Sequence, residues 1–344
     1  MALGAYAAAT STFATAIGTY NKATGYGSHA QGWSSESSGS YAISESYQSL
    51  ASGNFSHSKG YYTIASGDYS NASGTQTVAT GYGSYAQGWS SESSGSYAIS
   101  EGYQSLASGN FSHSKGYYTI ASGVYSNASG SQTVATGNTA TVTGYLDTAS
   151  GTYSTAMGFR NNASGNYSVS IGSYTSTNGY QGAFTFGDIS TSSTLRSSAN
   201  NQFSSRFAGG YRLYTNSAST TGLTISAGGT SWSSVSDQRV KENVQPISYG
   251  LKTVQLLRPY GYNYLGNSFT NFGFIAQDVL KVIPEVVDVP ENPDDLLSIR
   301  YTEMIPVLTK AIQELADENE LLRSQMDSLQ NDIEMLKSLV SSSN

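Results

Sequence analysis

The 344-residue chain has no cysteine, which excludes disulfide frameworks, thiol nucleophiles and thiolate-bound metal and leaves the compartment open. Histidine is scarce as well. His29, His57 and His113 all lie in the first half, so no Ser-His-Asp triad can be assembled around a C-terminal serine, and the three read as exposed polar residues. Charged residues are only 11% of the chain, and the first lysine is Lys22. No basic patch is present for nucleic acid. No run of about 18 apolar residues occurs, and the opening MALGAYAAATS has neither a basic n-region nor a continuous apolar stretch. Neither a signal peptide nor a membrane-inserted segment is expected. No cofactor and no metal site is expected either. The net charge of −7 is uneven: residues 1–230 carry seven Lys/Arg and seven Asp/Glu, and residues 231–344 carry nine and sixteen.

Glycine is what the chain has in quantity. It stands at every seventh position from Gly4 to Gly179, with Ser11 and Ser46 as the departures. A repeat this strict means one small unit stacked many times, so the first half is a solenoid and not a globular enzyme domain. Within each heptad the third and fifth residues are nearly always Ser, Ala or Thr, as in YYTIASG (61–67) and SYAISEG (96–102). With the glycine they place a small residue at every second position, the period of a β-strand. Each Gly is expected to mark either a corner with positive φ or a tight contact between coils. Tyr, Trp and Phe fall in the first two slots after the Gly. Two heptads would make one 14-residue coil, with the small faces of several chains packed around a common axis. Serine richness by itself suggests disorder, but the unbroken register opposes it. The already running register at Gly4 also allows the tail end of a longer fibre. A second repetition lies on top: residues 23–78 and 79–134 differ only at His29/Tyr85, Ser46/Gly102, Asp68/Val124 and Thr75/Ser131. Such near-identity points to recent duplication, a simple way to lengthen a fibre.

The segment ATAIGTYNKATG (14–25) resembles the head repeats of YadA-type trimeric autotransporter adhesins. The resemblance covers 1–187 and implies a mainly β fold, a trimeric parallel left-handed β-roll with 14-residue coils. At the usual ~4.8 Å between strands, 13 coils would span roughly 60 Å. Residues 188–235 read as a connector of short strands and turns.

From Ser236 the composition becomes that of an ordinary small α+β domain. SDQRVKENVQPI (236–247), LRPYGYNY (257–264), GFIAQDVLKVIPEVV (273–287) and LLSIRYTEMIPVLTKAIQEL (296–315) occur in that order. Together they resemble the intramolecular chaperone autoprocessing domain at the C-terminus of endosialidase tailspikes and other phage fibres, here 236–303. The resemblance implies self-cleavage by a serine and a lysine five positions later, which are Ser236 and Lys241, with Asp237 and Arg239 as supporting residues. It implies a single-turnover serine peptidase that does not act in trans. A lysine accepts a proton only when burial or a nearby cation lowers its pKa from about 10.4; Arg239 and a trimer interface could do both.

Residues 304–344 read as a coiled-coil helix. Ile305, Leu308, Ile312, Leu315, Asn319, Leu322, Met326, Leu329, Ile333, Leu336 and Val340 keep an unbroken 3-4 spacing, the mark of a coiled coil. A long amphipathic surface helix is the plainer alternative. Asn319 would fix register. The heptads leave the oligomer number open, since Ile at a with Leu at d is also the dimer pattern; the roll argues for a homotrimer.

Two function classes follow. One is a viral or phage tail fibre, in the virion or on an extracellular surface, reaching a host glycan or protein receptor through Tyr26, Trp33, Tyr61, Tyr62 and Trp89. The other is a cell-surface bacterial trimeric adhesin. The aromatics read equally as packing and corner residues. A sugar-cleaving role for Glu36, Glu45, Glu92 and Glu101 is weak, because they recur only through the duplication.

Overall fold

A computed structural model describes residues 1–341. It contains two compact units, 1–235 and 236 onward.

The first unit is a parallel β-solenoid. Each coil has a five-residue strand, such as Thr15–Thr19 or His29–Trp33, and a two-residue strand, such as Lys22–Ala23 or Glu36–Ser37. The long strands stack into one fifteen-stranded sheet, the short ones into a fourteen-stranded sheet. Register is fixed at fourteen residues, with Ala16 opposite Ala30 and Gly18 opposite Gly32.

The interior is built from the small residues. Ala16, Ala30, Ala72, Ala86, Ala128 and Ala156 are fully buried, together with Ser44, Ser58, Ser100 and Ser114. This corrects the expectation that small faces meet around an axis shared by several chains. A single chain closes over them, because two sheets lie close enough for alanine and serine to fill the space between. Some of the buried hydroxyls are partnered along and across coils, while others, such as those of Ser28, Ser70 and Thr77, have no partner among the described residues: Ser44 Oγ lies 2.8 Å from Ser49 Oγ, which donates to Ser35 Oγ at 3.1 Å. The same ladder recurs at Ser100, Ser105 and Ser91. Such pairing removes most of the cost of burying polar groups.

The heptad glycines are close-approach points and not the corners. A Cβ on Gly25 would overlap the carbonyl oxygen of Gly39 in the next coil, and one on Gly18 would overlap that of Gly32; Gly18 also has φ +113°. The left-handed corner comes two residues later and is often aromatic, as at Tyr20 (φ 59°), Tyr41 (57°) and Tyr62 (57°). A bulky residue in that conformation is strained. Here its ring stacks on the ring one coil away, with Tyr41 and Phe55 5.2 Å apart and Phe55 and Tyr69 5.1 Å apart.

The ladders continue past Gly187. Phe184–Gly187 pairs with Phe203–Arg206, and Thr175 and Ser176 pair with Leu195 and Arg196. The repeat is lost from the sequence here because the connecting loops lengthen, while the backbone pairing goes on. An antiparallel sheet of Gly210–Tyr214, Gly222–Ser226 and Ser233–Ser234 ends this unit.

The second unit has two short helices, α1 (Leu251–Val254) and α2 (Ala276–Val279), and a long one, α3 (Met304–Ser341). A hairpin pairs Tyr260–Tyr262 with Asn271–Gly273. Val279, Ile283, Val286, Val287, Met304 and Val307 form the core. Met304, Val307 and Ala311 are the buried face of α3. Its heptad face points elsewhere: Ile305, Leu308, Ile312, Leu315, Leu322, Met326, Leu329, Ile333, Leu336 and Val340 are 44–68% exposed. Asn319 donates from Nδ2 to the Leu315 carbonyl at 2.7 Å. Residues 342–344 of the expected coil lie outside the described residues.

Candidate functional site

Ser236 is the first residue of the second unit. A single turn of 3-10 helix, Gln238–Val240, follows it, capped by Asp237, whose Oδ1 accepts the Arg239 N–H at 2.9 Å. Lys241 closes the turn with its N–H on the Gln238 carbonyl. The turn folds the chain back on itself, so residues five apart meet: Lys241 Nζ donates to Ser236 Oγ at 2.7 Å.

Arg239 is engaged differently from expectation. Its Nε donates to Asp237 Oδ1 at 3.0 Å and its terminal nitrogen to Oδ2 at 2.7 Å. This two-pronged pairing holds the Asp237 carboxyl below its ordinary value and the guanidinium above its own. With its charge matched by Asp237, Arg239 is a poor source of the repulsion that would discharge Lys241. Its place in the geometry is to lock the turn carrying the pair. Ser236 and Lys241 are both exposed in the single chain.

The other candidates are surface groups of the solenoid. Tyr26, Trp33, Tyr61, Tyr62 and Trp89 are 43–51% exposed, but their rings are engaged with one another. Tyr26 sits edge-on between Phe13 and Tyr41, at 5.6 and 5.5 Å. Tyr61 stacks on Tyr47 at 5.0 Å, and Trp89 meets Tyr103 edge-on at 4.9 Å. Glu45 Oε2 lies 3.6 Å from His57 Nε2 and 3.4 Å from Lys59 Nζ; Glu101 repeats this with His113 and Lys115. Glu45 and Glu101 thus each face a lysine and a histidine rather than a second carboxylate.

Two polar features escaped the sequence. Glu314 on α3 accepts the Leu251 N–H at 2.7 Å and so anchors α1. Arg300 joins Asp288, Glu303 and the Glu285 carbonyl. Leu251 lies 63 residues from Glu314, and Asp288 and Glu285 lie 12 and 15 residues from Arg300, so no local motif announces these contacts; only Glu303 is near in the chain. Among the described residues no group of three or more His, Cys, Asp or Glu could hold a metal ion, and no helix is long and apolar enough to cross a membrane.

Comparison with known families matches these units. Residues 236–288 match the family described as chaperone of endosialidase. Residues 1–21, 58–84, 79–105, 114–140 and 149–175 match the YadA head domain repeat. No curated protein matches the chain. Along the chain, matches to the YadA head domain repeat in the solenoid are thus followed by a match to the chaperone-of-endosialidase family that begins at Ser236.

Proposed function

We propose that the chain is one of three in a virion tail fibre, whose solenoid reaches a host surface and whose C-terminal domain aligns the chains and then severs itself beside Ser236. The two families support a trimeric, adhesin-like or tail-fibre-like protein with a self-processing chaperone. A left-handed, three-chain roll and the domain limits 1–187, 188–235, 236–303 and 304–344 belong to the same proposal. The observation that carries it is the 2.7 Å contact between Lys241 Nζ and Ser236 Oγ at the first residues of the second unit, where one cut divides the two units.

The chemistry is acyl transfer. Neutral Lys241 takes the hydroxyl proton as Ser236 Oγ attacks a neighbouring peptide carbonyl; the C–N bond breaks, the proton passes to the leaving nitrogen, and water hydrolyses the ester. The hydrogen bond as it stands runs from ammonium to hydroxyl, a resting arrangement. It becomes productive once assembly of the chains reverses its direction, which ties cleavage to completed assembly. The exposed heptad face of α3 supplies the surface on which three chains can first meet.

The test is expression of wild type, Ser236→Ala and Lys241→Ala, read by denaturing gel and mass spectrometry. Wild type is expected to give two fragments divided near residue 236, at a rate independent of dilution once trimers exist. Both variants are expected to remain full length and trimeric. Efficient processing of Ser236→Ala would defeat the serine mechanism, and wild type cut only after adding a protease would leave a template without self-cleavage.

A further inference from the structure

Every coil places one polar residue just after its long strand, inside the roll. At Asn21, Nδ2 donates to the carbonyls of Ile17 and Gly32, at 2.5 and 2.7 Å, while Oδ1 accepts the Ser35 N–H at 2.8 Å. Asn161 repeats this, donating to Met157 and Gly172 at 2.9 and 2.8 Å and accepting from Thr175 N–H. Ser35 does the same with one hydroxyl, donating to the Gln31 and Ser46 carbonyls. In these three the donor is aimed at the carbonyls four residues back and eleven residues on, whereas the hydroxyls of Thr77 and Thr133 in the same slot have no partner among the described residues.

Asp147 occupies this slot and is fully buried. Its Oδ1 plays the usual part, accepting the Asn161 N–H at 2.6 Å. Its Oδ2 stands where the asparagines carry an NH2 group, and it is buried without a hydrogen-bond partner. By the same offsets the groups facing it are the carbonyls of Thr143 and Gly158. A Cβ on Gly144 would overlap both Asp147 Oδ2 and the Gly158 oxygen, as one on Gly18 meets Asn21 Nδ2 and the Gly32 oxygen. An ionised carboxylate has no hydrogen to offer them.

We propose that Asp147 carries a proton on Oδ2 in the folded solenoid and donates it to the Gly158 or Thr143 carbonyl, making this coil a joint that tightens in acid. No charged neighbour competes. Over residues 127–163 the sole other charged side chain is Arg160, whose guanidinium lies over Phe159 and Tyr174 at 5.6 and 5.9 Å. Tyr145 stacks on Phe159 at the surface. Burial is the main cause that pushes the Asp147 carboxyl up from 3.8 to about 6, against the N–H groups of Asn161, Gly158 and Tyr145. A carboxyl raised on folding adds stability that is complete below its unfolded value and is lost as pH rises through its folded value. The window therefore runs from about 4 to about 6. Above it the difference amounts to on the order of a hundredfold in the opening equilibrium of this coil.

Hydrogen exchange of the full chain, followed by mass spectrometry on peptides spanning 141–163, tests this in wild type and Asp147→Asn, compared at equal pH. The buffer holds a bulky organic ammonium as its sole cation. At pH 8 wild-type peptides are expected to exchange up to about a hundredfold faster than those of the variant, and at about pH 3, below the window, the two should coincide. Asp147→Ser, which restores a donor as at Ser35, should behave like Asp147→Asn and serves if that variant does not fold. A rate ratio that does not change with pH overturns the proposal. So does wild-type protection at pH 8 that saturates on adding sodium or calcium chloride, which would put a metal cation, and not a proton, on Oδ2.

Discussion

Single residues in the solenoid are judged by backbone contact more than by side-chain chemistry. Ser46 is the one non-glycine in the strand slot shared by Gly18, Gly32 and Gly60, and it holds φ +94°. Relieving that conformation is worth about 1–3 kcal/mol, less about 0.4–1 kcal/mol for the extra freedom of an unfolded glycine. Ser46→Gly is accordingly expected to stabilise the solenoid by about 1 kcal/mol. Its counterpart in the duplicate, Gly102→Ser, should destabilise by a similar amount. Melting curves of both variants at one scan rate decide it. Inside the roll, Ala107 is fully buried, and Ala107→Leu has no room between the sheets. The expected loss exceeds the 1–3 kcal/mol of ordinary overpacking, because a rise of one side chain forces two paired sheets apart; loss of soluble fibre is the readout. At the proposed cleavage site, Arg239→Ala should slow processing less than Lys241→Ala, since it loosens the turn without removing nucleophile or base.

At the scale of elements, period gave away what local geometry required. The two-residue alternation of small side chains, broken by glycine every seventh place, identified the strands and the fourteen-residue coil. It could not say whether small residues face the chain's own interior or an axis between chains, because both arrangements bury the same pattern. The end of the solenoid was hidden for a related reason: pairing at Leu195 and Phe203 persists through longer loops that carry no period. The 3-4 spacing located α3, but not that Met304, Val307 and Ala311 give it a second buried face. Ser236 and Lys241 were legible through four sequence blocks, whereas the Asp237–Arg239 pairing is a property of the turn. α3 thus has one face buried in its own domain and one exposed heptad face. Deleting 317–344 should leave the first face intact and lower the yield of soluble trimers, measured by light scattering. Within the domain, Glu314 is held below its ordinary value of 4.5, first by the Leu251 N–H and then by Lys310. A depressed carboxyl adds stability above its unfolded value and loses it as pH falls through the folded one. Amides of α1 should therefore lose protection below pH 4.5, and in Glu314→Ala they should lack it at neutral pH too.

For the whole molecule, near-identical blocks carry both a freedom and a hazard. Residues 79–134 repeat 23–78 with four differences, so joining Val78 to Ala135 keeps every coil in register. The shortened chain should assemble and process normally, with a solenoid about 19 Å shorter at ~4.8 Å per coil, as read by electron microscopy. The hazard is that chains displaced by one block still match one another, which is why a separate alignment device is useful to a fibre of this kind.

The direction of the backbone ladders has a mechanical meaning. Hydrogen bonds between coils, such as Thr15 N–H to the Ser28 carbonyl and Lys22 N–H to Ser35, run along the axis of the solenoid. A pull along that axis loads all the bonds between two coils together, so the fibre stays stiff until a whole coil yields. A coil that opens then releases fourteen residues, the interval between paired positions such as Ala16 and Ala30. Drawn out, they span about 48 Å where the closed coil spans ~4.8 Å. Each coil is thereby a tenfold reserve of length that a stretched solenoid can release one unit at a time.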